Sequence, residues 1–164
     1  MNFRRKGLNF EKQIAKKLSV WCNDTADVFY RTIGSGVLST NALLRGDITT
    51  HHTDGFEFIS KVFIECKYYE DLKLHSLFSK KETTKSIVEF WNKCKKQAKI
   101  HNTIPFLICK ENYKSTFAVL PFLTSKEDDS LLVIQPFFNI FLYDFELFLK
   151  NNVYNAFLEK INNL

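Results

Sequence analysis

The 164-residue chain is long enough for one compact domain, and its 45% hydrophobic content with 17 phenylalanines indicates a core built largely from aromatic side chains. No run of eighteen apolar residues occurs, and the basic start of the chain lacks the apolar segment of a signal peptide. These features argue against the membrane-spanning and secreted classes. We therefore expect a single cytoplasmic domain over residues 1–164.

Charge is unevenly distributed around a formal total of +5. Residues 1–120 carry 20 Lys and Arg against 12 Asp and Glu, whereas residues 121–164 carry 3 against 6. A basic surface favours a polyanionic partner, because contacts to phosphates release counterions. A solvated, lysine-rich surface explains the same excess, so charge alone does not decide for nucleic acid.

Apolar periodicity predicts a mixed α/β fold with a central sheet and flanking helices. In chain order the predicted elements are a helix (9–22), three strands (27–33, 48–52 and 56–67), a loop (70–83), a helix (about 86–98), four strands (104–109, 116–120, 131–134 and 137–143) and a terminal helix (144–161). Asp54-Gly55 is a turn signal before the longest strand, and Ser86 with Glu89 has capping-box spacing. Residues 37–44 fit a short helix or a loop equally well.

The longest predicted strand carries the first candidate site. Alternate residues of a strand share a face, so Glu65 and Lys67 point one way while Ile64 and Cys66 point the other, towards the core. An acid and a lysine thus emerge together from an otherwise apolar strand, and Asp47 begins a strand upstream. An exposed ion pair and a turn-capping Asp are the structural alternatives.

Phosphodiester hydrolysis requires these residue types. Mg²⁺ binds oxygen ligands, usually one or two carboxylates with waters completing the octahedron. The cation activates water and neutralises the charge that develops on the phosphate oxygens. A nearby lysine can orient or deprotonate the attacking water.

Asp47 followed by Glu65-Cys66-Lys67 resembles the motif of the PD-(D/E)xK nuclease superfamily. Glu11 occupies the place of a Glu that this superfamily often has in its first helix. The resemblance covers roughly residues 8–120 and implies a restriction-endonuclease-like fold, with a mixed central sheet flanked by helices. It also implies a DNA endonuclease that uses Mg²⁺ or Mn²⁺.

Within the superfamily the sequence looks most like the archaeal-type Holliday junction resolvases, because 31–36 resembles their Ser-Gly loop. The resemblance implies a homodimer that cleaves branched DNA, such as a four-way junction, in recombination or repair. It implies that Asp47, Glu65 and the Cys66 carbonyl hold the metal. Lys67 would then position the water, with Glu11 and Ser35 assisting.

Basic residues near the motif are candidate DNA contacts. They are Arg4, Arg5, Lys6, Arg31, Arg45, Lys93 and Lys96. Gln97 borders the apolar face of its helix and is a possible site residue, although helix packing explains it equally well. The last residues, 121–164, read as an extension in which Phe137, Phe138, Ile140, Phe141 and Leu142 provide either core packing or a dimer interface.

One spacing conflicts with the nuclease interpretation. A tight hairpin at Asp54-Gly55 would place Asp47 opposite Val62, so that Glu65 would lie roughly 10 Å away along the strand and on the wrong face. A metal site therefore requires a bulge or a wider connection within residues 52–60.

Other functions remain open from the sequence. A restriction or repair nuclease of the same fold, or a non-catalytic DNA-binding protein on that fold, would carry the same residues. The four cysteines form no close pair and read as free thiols in a reducing compartment. Zinc is not expected at His51, His52 and Cys66, because adjacent histidines on a strand face opposite ways.

Overall fold

The computed structural model describes residues 3–33, 45–79, 83–125 and 127–164. Its helices are α1 (Phe3–Asn23), α2 (Thr53–Lys61), α3 (Ile87–Ile100), α4 (Phe145–Asn151) and α5 (Tyr154–Asn162). Its strands are β1 (Phe29–Arg31), β2 (Ile48–Thr50), β3 (Val62–Tyr69), β4 (Ile104–Glu111), β5 (Thr116–Leu120), β6 (Leu131–Gln135) and β7 (Ile140–Asp144). Two 3-10 turns span Leu74–Leu77 and Pro136–Phe138.

A five-stranded mixed sheet in the order β3-β4-β5-β7-β6 forms the centre of the fold. β3 and β4 are parallel and are connected through α3, whereas the remaining pairs are antiparallel. β1 and β2 form a separate antiparallel ribbon. The predicted restriction-endonuclease-like α/β fold is confirmed, and β3, which carries the candidate residues, lies at one edge of the sheet.

Two hydrophobic clusters cover opposite faces of this sheet. Ile64 and Cys66 of β3 pack into a cluster with α1, α2 and α5, whereas Phe63 packs into a second cluster with α3. The predicted inward orientation of Ile64 and Cys66 is therefore confirmed. None of the described helices is long and apolar enough to cross a membrane.

The segment before β3 corrects the prediction. The first part of the strand predicted over 56–67 and its hairpin are wrong, because Thr53–Lys61 form α2, whereas 62–67 lie in β3 as predicted. The His52 side chain accepts a hydrogen bond from Asp54 N and caps this helix, while Phe58 and Ile59 are buried. Buried Gly55 belongs to the first helical turn, where its lack of a side chain allows close packing against Thr50.

Other elements also begin or end at residues that differ from the prediction. α1 begins at Phe3, earlier than predicted. The predicted loop over 70–83 contains the 3-10 turn Leu74–Leu77, and Leu72 and Leu77 are buried. The single predicted terminal helix is two helices, α4 and α5, separated near Asn152. The Ser86 side chain accepts a hydrogen bond from Glu89 N, as the capping prediction requires.

The C-terminal strands belong to the same sheet and core. β7 lies between β5 and β6, and Phe138, Ile140 and Leu142 are buried, so these three residues provide core packing and not a dimer interface. Phe141 is partly buried against the core. Phe137 is 62% exposed and alone among the five predicted interface residues remains on the surface.

Asp128 stabilises the connection between β5 and β6. Its carboxylate accepts hydrogen bonds from Thr124 Oγ1 at 2.5 Å, Asn152 Nδ2 at 3.0 Å and Ser130 N at 2.9 Å. Burial alone would raise the pKa of Asp128, but these hydrogen bonds lower it from the ordinary 3.8 to about 2. The connection therefore depends on the ionised form of Asp128.

Replacing Asp128 by Ala is expected to lower the free energy of unfolding at neutral pH by roughly 1–3 kcal/mol, because it leaves these donors unpaired. Since the folded-state pKa is depressed, this stabilisation is complete above the ordinary value of 3.8 and is lost as pH falls through about 2. Urea unfolding as a function of pH measures both effects. Exposed Asp129 provides the control, and Asp129→Ala should change little.

Candidate active site

Asp47 is fixed against the free edge of β3. Its backbone N donates to Ile64 O at 2.8 Å, and its Oδ2 accepts from Cys66 N at 2.8 Å. Thr32 N donates to Asp47 O, also at 2.8 Å. Helix α2 supplies the wider connection that the sequence required, so Asp47 lies beside Glu65 and is only 8% exposed.

The two residues that precede Asp47, Arg45 and Gly46, fix its position. Gly46 has a φ of +69°, and a Cβ built there would lie 2.3 Å from Ile64 O. Only glycine can approach β3 this closely in that conformation. Arg45 Nη1 donates to His101 O at 3.0 Å, at the carboxyl end of α3. Arg45, predicted to contact DNA, therefore ties the Asp47 segment to α3, and this positioning role was not predicted.

Glu65 and Lys67 form the predicted pair on one face of β3. Lys67 Nζ donates to Glu65 Oε1, and both side chains retain partial exposure, 27% for Lys67 and 22% for Glu65. The backbone N–H and C=O of one strand residue point to the same side. Because Cys66 N faces Asp47, the Cys66 carbonyl also points to the free edge of β3.

Glu11 approaches the site from α1. Its Oε2 lies 3.6 Å from Arg31 Nη1, and this buried oxygen accepts no hydrogen bond within the described parts of the chain. Arg31, predicted to bind DNA, thus contacts a site carboxylate. The structure brings four predicted residues, Glu11, Asp47, Glu65 and Lys67, into one electrostatic cluster.

The cluster carries more negative than positive charge. Burial raises the pKa of Glu11, and the nearby Asp47 raises it further, while Arg31 and Lys67 offset part of the effect. Burial likewise raises the pKa of Glu65, Asp47 adds to this, and Lys67 opposes it. Burial would lower the pKa of Lys67, but Glu65 and Asp47 outweigh it and raise that pKa. Three carboxylates thus face two cations.

These residues provide the donor set of a hard cation. Across residues 3–33, 45–79, 83–125 and 127–164, no three His, Cys, Asp or Glu side chains are grouped as metal ligands. The site instead offers the carboxylates of Asp47 and Glu65 and the Cys66 carbonyl. Oxygen ligands of this number, completed by water, suit Mg²⁺ or Mn²⁺. Glu11 Oε2 is buried and is paired with Arg31 at 3.6 Å without a hydrogen bond in the described parts of the chain, and this and the excess negative charge fit an added cation.

The remaining predicted residues lie around this cluster or outside the described residues. Lys93 is 65% exposed, bonds Glu89 and lies near enough to lower the pKa of Glu65 against the larger effect of burial. Gln97 and Lys96 are exposed on α3, and within the described residues neither side chain bonds the cluster. Ser35 lies outside the described residues, and so does the Arg4 side chain. Arg5 is exposed.

Lys6 has local partners. Its Nζ bonds Asn112 Oδ1 and lies 4.0 Å from the ring centroid of Tyr68, next to the end of β3. It therefore stands beside the candidate site on the first helix. Its contact with DNA stays a prediction.

A mixed sheet with an Asp beside a strand that carries Glu-x-Lys defines the PD-(D/E)xK class of nucleases. The chain belongs to the family described as "Phage putative PDDEXK endonuclease", whose profile matches residues 2–163. No curated protein and no solved structure matches it. The family supports nuclease activity and extends through the C-terminal part, beyond the resemblance seen in the sequence. The closeness to archaeal-type resolvases stays a prediction.

Proposed function

We propose that the protein is a metal-dependent DNA endonuclease in which Asp47, Glu65 and the Cys66 carbonyl hold Mg²⁺ or Mn²⁺. The observation that carries the proposal is the pair of hydrogen bonds that fixes Asp47 against β3, beside Glu65 and Lys67. This arrangement removes the spacing conflict of the sequence, and the family supports the nuclease chemistry.

The site residues have different roles in this reaction. Asp47, Glu65 and the Cys66 carbonyl would hold a cation that would supply Lewis acidity and activate water there. Lys67, a cation beside Glu65, donates hydrogen bonds that orient the attacking water and the phosphate oxygens. Glu11 faces the same cluster, close enough to Asp47 for the two carboxylates to interact. Arg31 limits the repulsion between Glu11 and its neighbours.

The substrate class and assembly extend this proposal. We propose branched DNA, with the four-way junction as the first substrate to test, cleaved by a homodimer. Paired cuts on opposing strands require two active sites, which a two-fold dimer supplies. Edge strand β6 exposes Leu132 and Ile134, and Phe137 follows it, so an apolar surface remains for a second subunit.

The decisive experiment incubates the purified protein with labelled linear, nicked, flapped and four-way DNA, with Mg²⁺, with Mn²⁺ and with EDTA. Cleavage that requires the metal supports the endonuclease. Tight binding without cleavage in either metal would instead identify a non-catalytic DNA-binding protein. A monomer by light scattering that cuts linear duplex as readily as junctions would remove the resolvase proposal and leave the nuclease.

Binding to DNA is expected to weaken steeply with salt, because lysine and arginine side chains replace counterions on phosphates. Fluorescence anisotropy in EDTA measures affinity without cleavage. The affinity should fall by at least about tenfold between about 50 and 200 mM salt if several phosphates are contacted. A flat response over this range would contradict an interface dominated by phosphate contacts.

A further inference from the structure

A cleft of about 640 Å³ opens at the carboxyl end of β3. Tyr68 and Tyr69 of β3 line it, with Lys6 of α1 on one side. Glu70, Asp71, Lys73 and Lys85 complete the lining. The volume lies within the range of sites that enclose small organic ligands. We call it the Tyr69 cleft.

The Tyr69 cleft adjoins the candidate active site. Tyr69 follows Lys67 by two positions, so the two side chains share a face of β3 and are separated by roughly 7 Å along the strand. A nucleic acid strand whose phosphate lies at Glu65 and Lys67 therefore has its next nucleotide at this cleft.

The aromatic walls are held in place by packing. The Tyr69 ring lies 4.6 Å from that of Phe90, centroid to centroid, and the Tyr68 ring lies 5.4 Å from that of Phe10. Both tyrosines are only half-buried and line the opening. Rigid aromatic rings bind a planar partner at a low cost in conformational entropy.

The polar rim is also preformed. Lys73 Nζ donates to Thr84 O at 2.7 Å, and Lys73 N donates to Asp71 Oδ1 at 2.7 Å, so the two sides of the cleft are tied together. Lys73 and Lys85 have φ values of 50° and 53°. Such left-handed conformations are costly for residues other than glycine and persist where the surrounding structure holds them.

The charges of the cleft select one kind of occupant. Three lysines and two carboxylates, Glu70 and Asp71, line the cleft, so its charge is mixed and not uniformly positive as at a simple phosphate site. Carboxylates do accept hydrogen bonds from the amino groups of bases, as they do from cytosine in duplex DNA. The aromatic ring of Tyr69 can stack on any base, and lysines attract its phosphate. The mixture suits a whole nucleotide with its base unpaired.

We propose that the Tyr69 cleft binds an unpaired nucleobase next to the phosphate that is cleaved, an inference that rests on the proposed endonuclease function. A base in a duplex cannot enter, because its edges and faces are occupied by pairing and stacking. The enzyme therefore prefers DNA with single-stranded nucleotides beside the cleavage position over fully paired duplex.

The test measures binding in EDTA by anisotropy, with a duplex that carries a single-stranded arm and a fully paired duplex of the same length. Tyr69→Leu should weaken binding of the armed duplex roughly tenfold and leave the paired duplex unchanged, a change typical of losing one stacked base. Tyr69→Phe keeps the packing on Phe90 and should retain the preference. Phe56→Leu, at a partly exposed position of α2 outside the cleft lining, is the matched control.

A second variant separates base from phosphate recognition. Glu70→Gln should change the preference among bases in the arm, whereas tighter binding of both DNAs to the same extent would show a phosphate site and overturn the proposal. Equal binding of both DNAs by the unchanged protein would overturn it too. Preference for the armed duplex that Tyr69→Leu removes, without cleavage in Mg²⁺ or Mn²⁺, would refute the nuclease and still support base binding in the cleft.

Discussion

Replacing Glu65 by Gln is expected to reduce the rate of DNA cleavage in Mg²⁺ by roughly a hundredfold or more, an effect typical of removing one group that stabilises developing charge. Gln keeps an oxygen that accepts from Lys67 Nζ but removes the charge that holds a divalent cation. Asp47→Asn should act in the same way, because Asn can still accept from Cys66 N. Single-turnover cleavage of labelled DNA measures the loss.

Stability and binding should change little in these variants. Burial and Asp47 raise the pKa of Glu65, so ionised Glu65 is not held by its surroundings alone, and the neutral amide relieves repulsion. Melting temperature and affinity for DNA in EDTA should therefore match or exceed those of the unchanged protein. Glu159→Gln, the same substitution at an exposed position of α5, is the control. Cleavage at the normal rate by Glu65→Gln would remove Glu65 from the metal site.

The chemistry of β3 could be predicted because it is local. Alternation along a strand places Glu65 and Lys67 together and Ile64 and Cys66 in the core, and the structure agrees. The position of Asp47 beside Glu65 could not be predicted in the same way. Asp47 reaches β3 through a contact between residues 19 apart, and its position depends on what the intervening segment forms.

The segment Thr53–Lys61 carries two competing local signals, so the sequence favours a turn and a strand where α2 forms. Asp54-Gly55 is a turn signal, and the following residues include several strand formers. Yet Gly55, Phe58 and Ile59 are buried at helical spacing, and Val62 continues the series as β3 begins. The spacing of three, four and seven positions was visible in the sequence and would have predicted a helix.

Position within the sheet could not be read from the sequence. The apolar residues from Phe138 to Leu142 fit a surface contact or a core strand equally well, and only the pairing of β7 with both β5 and β6 decides for the core. The role of Arg45 is similarly hidden, because its bond to His101 joins residues 56 apart. Long-range contacts of this kind carry no local pattern.

Replacing Gly46 by Ala is expected to impair both activity and stability. A Cβ at this position would lie 2.3 Å from Ile64 O, a backbone atom of β3 that cannot move aside as a flexible side chain could. The φ of +69° adds strain for any residue with a side chain. We expect the free energy of unfolding to fall by roughly 1–3 kcal/mol, measured by urea unfolding.

The effect on cleavage follows from the residue that Gly46 precedes. Relief of the clash moves Asp47 away from its bonds to Ile64 O and Cys66 N, and a shift of about 1 Å at a catalytic group can reduce the rate about a hundredfold. Gly7→Ala in α1 is the matched control, because a Cβ there meets no atom within 4 Å and Ala favours a helix. Normal cleavage by Gly46→Ala would show that the bonds of Asp47 to β3 do not position the catalytic carboxylate.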